Sequence, residues 1–276
     1  MRKLDGAPLT GAANKKIKLV ACDIDGTLLQ KGDTGLRPSL FALIHELQRK
    51  GVAFCAASGR QYTCLLRMFA PVAGEIYYIC ENGAAVFDQR QQLLSKTVIP
   101  QQDAMAISRQ ILEAQRCEVL ISGERTCYIL PKEPDFLPLM RDQTGNDTTV
   151  VSSLSQIPEP MIKISAFCRD GVEAWLPEFE QRWGKQYRVA VSGEGWIDFT
   201  LADKGAGLEV ICRQLQISPQ EVMAFGDNFN DIQMLRMAGV PCVMAHAHEQ
   251  VRRYGQRICS RVEPELERLL REQELS

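Results

Sequence analysis

The sequence predicts an α/β fold, a doubly wound parallel sheet whose chain is interrupted by an inserted α+β unit. Three observations predict it. Short apolar runs alternate with amphipathic helical stretches from Ile17 to Gly83, as expected of parallel strands joined by helical crossovers. The alternation stops in a strand-rich interval and resumes from Gly205 to Leu270. Polar clusters close the apolar runs, and in parallel sheets ligands collect at the carboxyl ends of the strands. The expected core therefore comprises residues 1–83 and 196–276, and the expected insert residues 84–195. Residues 1–15, rich in Gly, Ala and Lys, read as a loose lead-in.

The first run, Leu19 to Cys22, offers water no polar side chain and reads as a buried strand. It ends in Asp23-Ile24-Asp25-Gly26-Thr27. Residues i and i+2 of a strand point the same way, so the two acids share one face. Their repulsion is offset by a cation or by a shared proton. Pro38 to Lys50 places Leu40, Leu43, Ile44 and Leu47 on one helical face and stops at Gly51. A second strand, Val52 to Ala57, ends in Ser58-Gly59-Arg60. A helix follows over Gln61 to Phe69, and a third strand, Ile76 to Cys80, ends in Glu81-Asn82-Gly83.

Ala84 to Asp88 and Leu93 to Ile99 have the character of a hairpin and open the expected insert. Within it, a helix is expected at 102–115, β-like runs at 119–121 and 126–130, a strand at 161–168, a helix at 172–183 and a strand at 187–191. Prolines and polar residues leave 132–160 without a clear assignment. The crossover pattern then returns with a helix at 205–215, a strand at 222–225, a helix at 232–238, a strand at 240–244 and a closing helix at 265–270.

The polar clusters form one inventory. Asp23, Asp25 and Asp227 are hard oxygen ligands suited to Mg²⁺. Ser58, neighbouring backbone N–H groups and Lys204 are donors for an anion with several oxygens. A carboxylate attacking a phosphate dianion meets repulsion that a divalent cation and a lysine reduce. A second carboxylate then serves as acid and base. Asp231 lies four residues after Asp227, so the two share a face only if helix begins at Asp227.

Asp-x-Asp-Gly-Thr, Ser-Gly-Arg, Asp203-Lys204-Gly205 and Gly226-Asp227-x-x-Asn230-Asp231, in this order, resemble the haloacid dehalogenase superfamily. The long insert between the second and third motifs is similar to that of its Cof-type phosphatases, which carry a large α/β cap there. The resemblance runs from Lys16 onward and implies a Rossmannoid core. It implies that Asp23 is nucleophile and metal ligand, and that Asp25 is the general acid/base with its backbone carbonyl on the metal. Asp227 would complete the Mg²⁺ site, with Asp231 behind it. Ser58, Lys204 and Asn230 would hold phosphate, together with Gly26, Thr27 and Gly59 of the same motifs. Arg60 and Asn82 would face the substrate. The chain departs from the family pattern at Met244-Ala245-His246-Ala247 and at Ser260-Arg261-Val262, and His246 would add a titrating group at the rim.

The expected function is hydrolysis of a small phosphate ester, a sugar phosphate or a nucleotide-related compound. A phosphomutase would use the same aspartyl phosphate and return the group to its substrate. A receiver-like or phosphometabolite-sensing module would use the same residues without turnover. A dinucleotide-binding reading fails because Val210 stands where the third glycine would be. The formal charge of -2 gives no support for a nucleic-acid or anionic-membrane partner. No apolar run approaches the roughly 18 residues of a membrane span. The ten cysteines are scattered, without Cys-x-x-Cys. With no secretory signal in the sequence, they read as reduced core residues of a cytoplasmic protein.

Overall fold

The computed structural model describes residues 16–274, and the expected lead-in over 1–15 lies outside them. β1 (Leu19–Asp23) is buried along its whole length. Val20 and Cys22 pack into one apolar layer, Leu19 and Ala21 into another, which is why the strand reads as an unbroken apolar run rather than an alternation. α1 (Pro38–Arg49) begins with proline, whose missing N–H costs nothing in the first turn. It buries Leu40, Ile44 and Leu47 in the first layer. β2 (Ala53–Ala57), α2 (Tyr62–Met68) and β3 (Tyr77–Cys80) follow, with both strands parallel to β1.

The hairpin of β4 (Ala85–Phe87) and β5 (Leu93–Lys96) departs from expectation. It pairs antiparallel onto β3 and extends the first sheet instead of opening the second. The cause is the turn between β3 and β4, where Glu81, Asn82 and Gly83 take φ values of 50°, 56° and 100°. The chain doubles back, and Phe87 stacks on Tyr62 at 3.7 Å between ring centroids.

A second sheet follows after α3 (Gln101–Glu113). Its strands are β6 (Cys117–Ser122) and β7 (Cys127–Ile129), then, past the one-turn α4 (Phe136–Pro138), β8 (Thr148–Val150) and β9 (Lys163–Cys168). After α5 (Leu176–Trp183) come β10 (Arg188–Gly193) and β11 (Trp196–Thr200). The order is β10-β11-β9-β6-β7-β8. Residues 196–200, expected in the core, are β11 of this sheet, because Gly195 at φ 79° turns the chain back onto β10. The strands alternate. Ile164, Ala166, Ile197 and Phe199 pack in one apolar cluster with α3 and α5, so Lys163, Ser165, Trp196 and Asp198 take the opposite face.

The chain returns to the first sheet through α6 (Lys204–Leu215), β12 (Val222–Gly226), α7 (Ile232–Met237) and β13 (Val240–Met244). α8 (Glu249–Arg252), β14 (Arg257–Cys259) and α9 (Glu263–Glu274) complete it. α6 and α7 cover the face opposite α1 and α9. The strand order is β14-β13-β12-β1-β2-β3-β4-β5, parallel from β14 through β3. The chain therefore runs outward to both sides of β1, and the β1/β12 boundary is the switch point at which open α/β sheets bind ligands. No helix among the described residues is long and apolar enough to cross a membrane. All ten cysteines are buried and free.

Candidate active site

Asp23 closes β1, and Asp227 follows directly on β12. Lys204 opens α6 behind Asp203, whose carboxylate caps the helix by accepting from the Ala206 N–H at 2.9 Å. These elements bring four charged groups together. Lys204 is fully buried and donates to Asp23 Oδ1 at 2.5 Å and to Asp231 Oδ1 at 2.7 Å. Asp231 Oδ2 accepts from the N–H groups of Asp227 and Asn228, both at 3.0 Å. Helix has not begun at Asp227: Asn228 is the cap of the turn Phe229–Asp231, and Asp231 reaches back to it. The four-residue spacing thus works through a capping box rather than a helical face.

Thr27 donates to Asp227 Oδ1 at 3.0 Å. Gly26 sits at φ 94°, and a Cβ there would lie 2.2 Å from Asp227 Oδ2. Only glycine permits this approach. The expected phosphate-binding pair Gly26 and Thr27 therefore braces Asp227, and neither lines the cavity described below.

Three carboxylates meet one ammonium here. Burial pushes the Asp23 carboxyl well above its ordinary range, and the Asp231 charge adds to this while Lys204 opposes it. Burial and then Asp231 likewise raise Asp227. Burial pulls the Lys204 ammonium down, yet Asp23 and Asp231 together hold it above its ordinary range. Asp23, Asp227 and Asp231 each offer an oxygen within 4.8 Å of the others. Asp23 Oδ2 is buried without a hydrogen-bond partner. An all-oxygen set with excess negative charge and an unsatisfied buried oxygen fits a hard divalent cation. Asp231 is already engaged by Lys204 and two amides, so Asp23 and Asp227 have the freer oxygens.

Above Asp23 lies a cavity of about 310 Å³ whose walls come from both sheets. Asp25 is half exposed and held in a two-pronged ion pair by Arg60, at 2.8 Å from Nε and 2.6 Å from Nη2. Ser58 is buried beside them; its Oγ accepts from the Arg60 N–H at 3.1 Å, and its own N–H is spent on Ile79 O. Of the expected backbone donors, those of Ser58 and Arg60 are thus committed within the protein. Asn82 accepts from Asn230 Nδ2 at 3.0 Å, and Asn230 Oδ1 is buried without a partner. Gly59, Arg60, Asn82 and Asn230 line the cavity, whereas Lys204 stands behind Asp23 and does not reach it. His246 Nε2 lies 3.5 Å from Asp227 Oδ2 at an exposed rim.

The second sheet contributes residues that the sequence reading did not single out. Lys163 of β9 reaches into the core to pair with Glu81 at 2.5 Å and to donate to Gly59 O at 3.1 Å; it also pairs with Asp198 of β11 at 3.3 Å. Asp198 accepts from Ser165 Oγ at 2.6 Å. Gln61 and Asp147 exchange two hydrogen bonds, at 2.7 and 3.2 Å. The signal was present in Lys163-Ile-Ser165-Ala and Trp196-Ile-Asp198-Phe, where polar and apolar residues alternate as on a strand with one wet face.

The described chain has known relatives. A family model described as haloacid dehalogenase-like hydrolase matches residues 20–263. The 5-amino-6-(5-phospho-D-ribitylamino)uracil phosphatase YbjI of Escherichia coli is 28% identical over 242 residues, covering 85% of this chain and 88% of the relative. The HMP-PP phosphatase of Serratia proteamaculans is 26% identical, covering 85% and 86%. A crystal structure from Eubacterium rectale superposes with a TM-score of 0.78 at 26% identity, covering 94% of this chain and 99% of that one.

Proposed function

The chain belongs to the haloacid dehalogenase-like hydrolases, and from that premise we propose that it is a Mg²⁺-dependent phosphatase of small phosphorylated metabolites that works through an aspartyl phosphate on Asp23. One observation carries this reading. Asp23 has one oxygen fixed by Lys204 and the other buried without a partner beneath a cavity large enough for a small ester.

In the first step, the free oxygen of Asp23 attacks phosphorus, the ester P–O bond breaks, and Asp25 gives its proton to the departing oxygen. In the second, Asp25 takes a proton from water as that water attacks phosphorus. The Asp23–phosphorus bond then breaks and inorganic phosphate leaves. Asp23 and Asp227 are the residues that would hold Mg²⁺, which supplies charge neutralisation for the incoming dianion. Lys204 opposes the effect of burial on Asp23 and fixes one of its oxygens, and Asp231 keeps Lys204 in place. Arg60 pairs with the carboxylate form of Asp25, the form that takes the proton from water in the second step, and Ser58 and Asn230 offer polar contacts to the phosphoryl oxygens.

The six-stranded sheet with α3 and α5 serves as a cap inserted into the core, entered after β5 and left before α6. That division puts β4 and β5 with the core and β11 with the cap. By closing over the site it excludes bulk water during phosphoryl transfer. Both relatives named above are phosphatases of small phosphorylated compounds by name, which supports the same class of substrate here. The test is phosphate release across a panel of phosphorylated metabolites, with Mg²⁺ and with chelator. Release that depends on Mg²⁺ is expected, and release undiminished by chelator contradicts the metal assignment.

A further inference from the structure

The cationic side chains around the cleft are almost all neutralised. Arg60 is paired with Asp25, Lys163 with Glu81 and Asp198, and Lys204 with Asp23 and Asp231. Arg188 differs: among the described residues no carboxylate pairs with it. It lies half-buried on β10, in register with Thr200 of β11, and lines a cavity of about 120 Å³. That cavity adjoins the one above Asp23, and the two share Asn82, Ser192, Asp198, Asn228 and Asn230. Asp198, the acid among the residues lining that smaller cavity, already accepts from Ser165 and Asn82 and pairs with Lys163.

We infer that Arg188 forms a distal subsite for a second anionic oxygen group, a phosphate or carboxylate, carried by the leaving group of the substrate. The inference rests on the phosphatase reading and narrows its substrate class. A guanidinium presents parallel donors that match either group in a two-pronged contact. Leaving it half-buried and unpaired costs desolvation that such a ligand would offset. The polar residues shared by the two cavities, Ser192 and three asparagines, fit a hydroxylated linker between the reacting phosphate and the distal anion. The subsite belongs to the second sheet, so an anion bound there also draws that sheet onto the core.

The test compares linear polyol monophosphates of three to six carbons with their α,ω-bisphosphates and ω-carboxylates, by kcat/KM in the presence of Mg²⁺. One chain length bearing the second anion is expected to exceed its neutral counterpart at least tenfold. Arg188→Gln is expected to bring that ratio to near one, and Arg188→Lys to restore part of it. If bisphosphates and ω-carboxylates both gain, the subsite reads anionic oxygen in general; if only one gains, it reads that group. Monophosphate turnover without any advantage from a second anion, or an advantage that survives Arg188→Gln, overturns the subsite and leaves the phosphatase standing. No Mg²⁺-dependent turnover of any compound overturns the phosphatase reading itself. Circular dichroism and the unfolding midpoint of Arg188→Gln separate lost recognition from lost fold.

Discussion

Lys204 sets the electrostatics of the site, because it is the single ammonium among three buried or half-buried carboxylates. Replacing it with methionine leaves Asp23 and Asp231 buried without their countercharge, and breaking such a pair typically costs ~3–5 kcal/mol. Urea unfolding of Lys204→Met without metal should show a loss of that order, and Mg²⁺ should recover part of it. The pH dependence follows from the same acids. Asp23 and Asp227 have folded pKa values raised above their ordinary 3.8, so the native state keeps protons that the unfolded chain has already lost. Their contribution to stability therefore falls as pH rises from about 4 through the folded values. Divalent cation removes that penalty, so the rise in Tm on adding Mg²⁺ should be larger at pH 7.5 than at pH 5. An equal rise at both would count against the cluster as the metal site. Asp23 and Asp227 were legible because each closes an apolar run, and Lys204 because it opens a helix behind the capping Asp203. Lys163 and Asp198 were not, since a lysine or aspartate on a strand declares its partner only once the sheets are stacked.

Among the elements, the turn from β3 to β4 has consequences for both sheet and site. It sends β4 and β5 back onto β3, and it brings Gly83 against the start of α6. A Cβ on Gly83 would stand 2.1 Å from the Asp203 carbonyl oxygen, at φ 100°. Gly83→Ala must therefore displace the backbone that carries Lys204, at a strain of ~1–3 kcal/mol. A lowered unfolding midpoint together with weakened Mg²⁺ binding is the expected result. The sequence disclosed the helices and the parallel strands because their periods differ, 3.6 against an unbroken apolar run. It did not reveal which sheet a hairpin joins, since an antiparallel pair has the same local pattern at the edge of either. β11 was overlooked for a related reason: Trp196-Ile-Asp198-Phe-Thr200 alternates as a strand should, but it sits just past a change of sheet. β14 and α8 are too short to leave a period.

Across the whole molecule, the two sheets meet over the adjoining cavities through polar contacts. They include the Lys163 pairs with Glu81 and Gly59 O, Asn82 donating to Asp198, the two hydrogen bonds of Gln61 with Asp147, Lys96 with Glu124, and Arg67 donating to Gly145 O. Lys163→Met would leave Glu81 and Asp198 facing each other without a countercharge, and should raise KM more than it lowers kcat, with Lys163→Arg restoring part of the loss. Gln61→Ala removes two hydrogen bonds worth ~1 kcal/mol each and should lower kcat/KM several-fold while leaving the Mg²⁺ titration unchanged. The alternation of helix and strand, its interruption and its return carried the broad architecture in the sequence. The closed stacking of the sheets depends on contacts between residues far apart in the chain, such as Gly59 with Lys163, which no local pattern encodes. The central claim is the covalent step on Asp23, and it is tested most directly by trapping. Enzyme quenched during turnover of a good substrate and reduced with borohydride should yield homoserine at position 23, found by peptide mass spectrometry and absent from unreacted enzyme. Homoserine at another position, or full phosphate release by Asp23→Asn, would contradict the account.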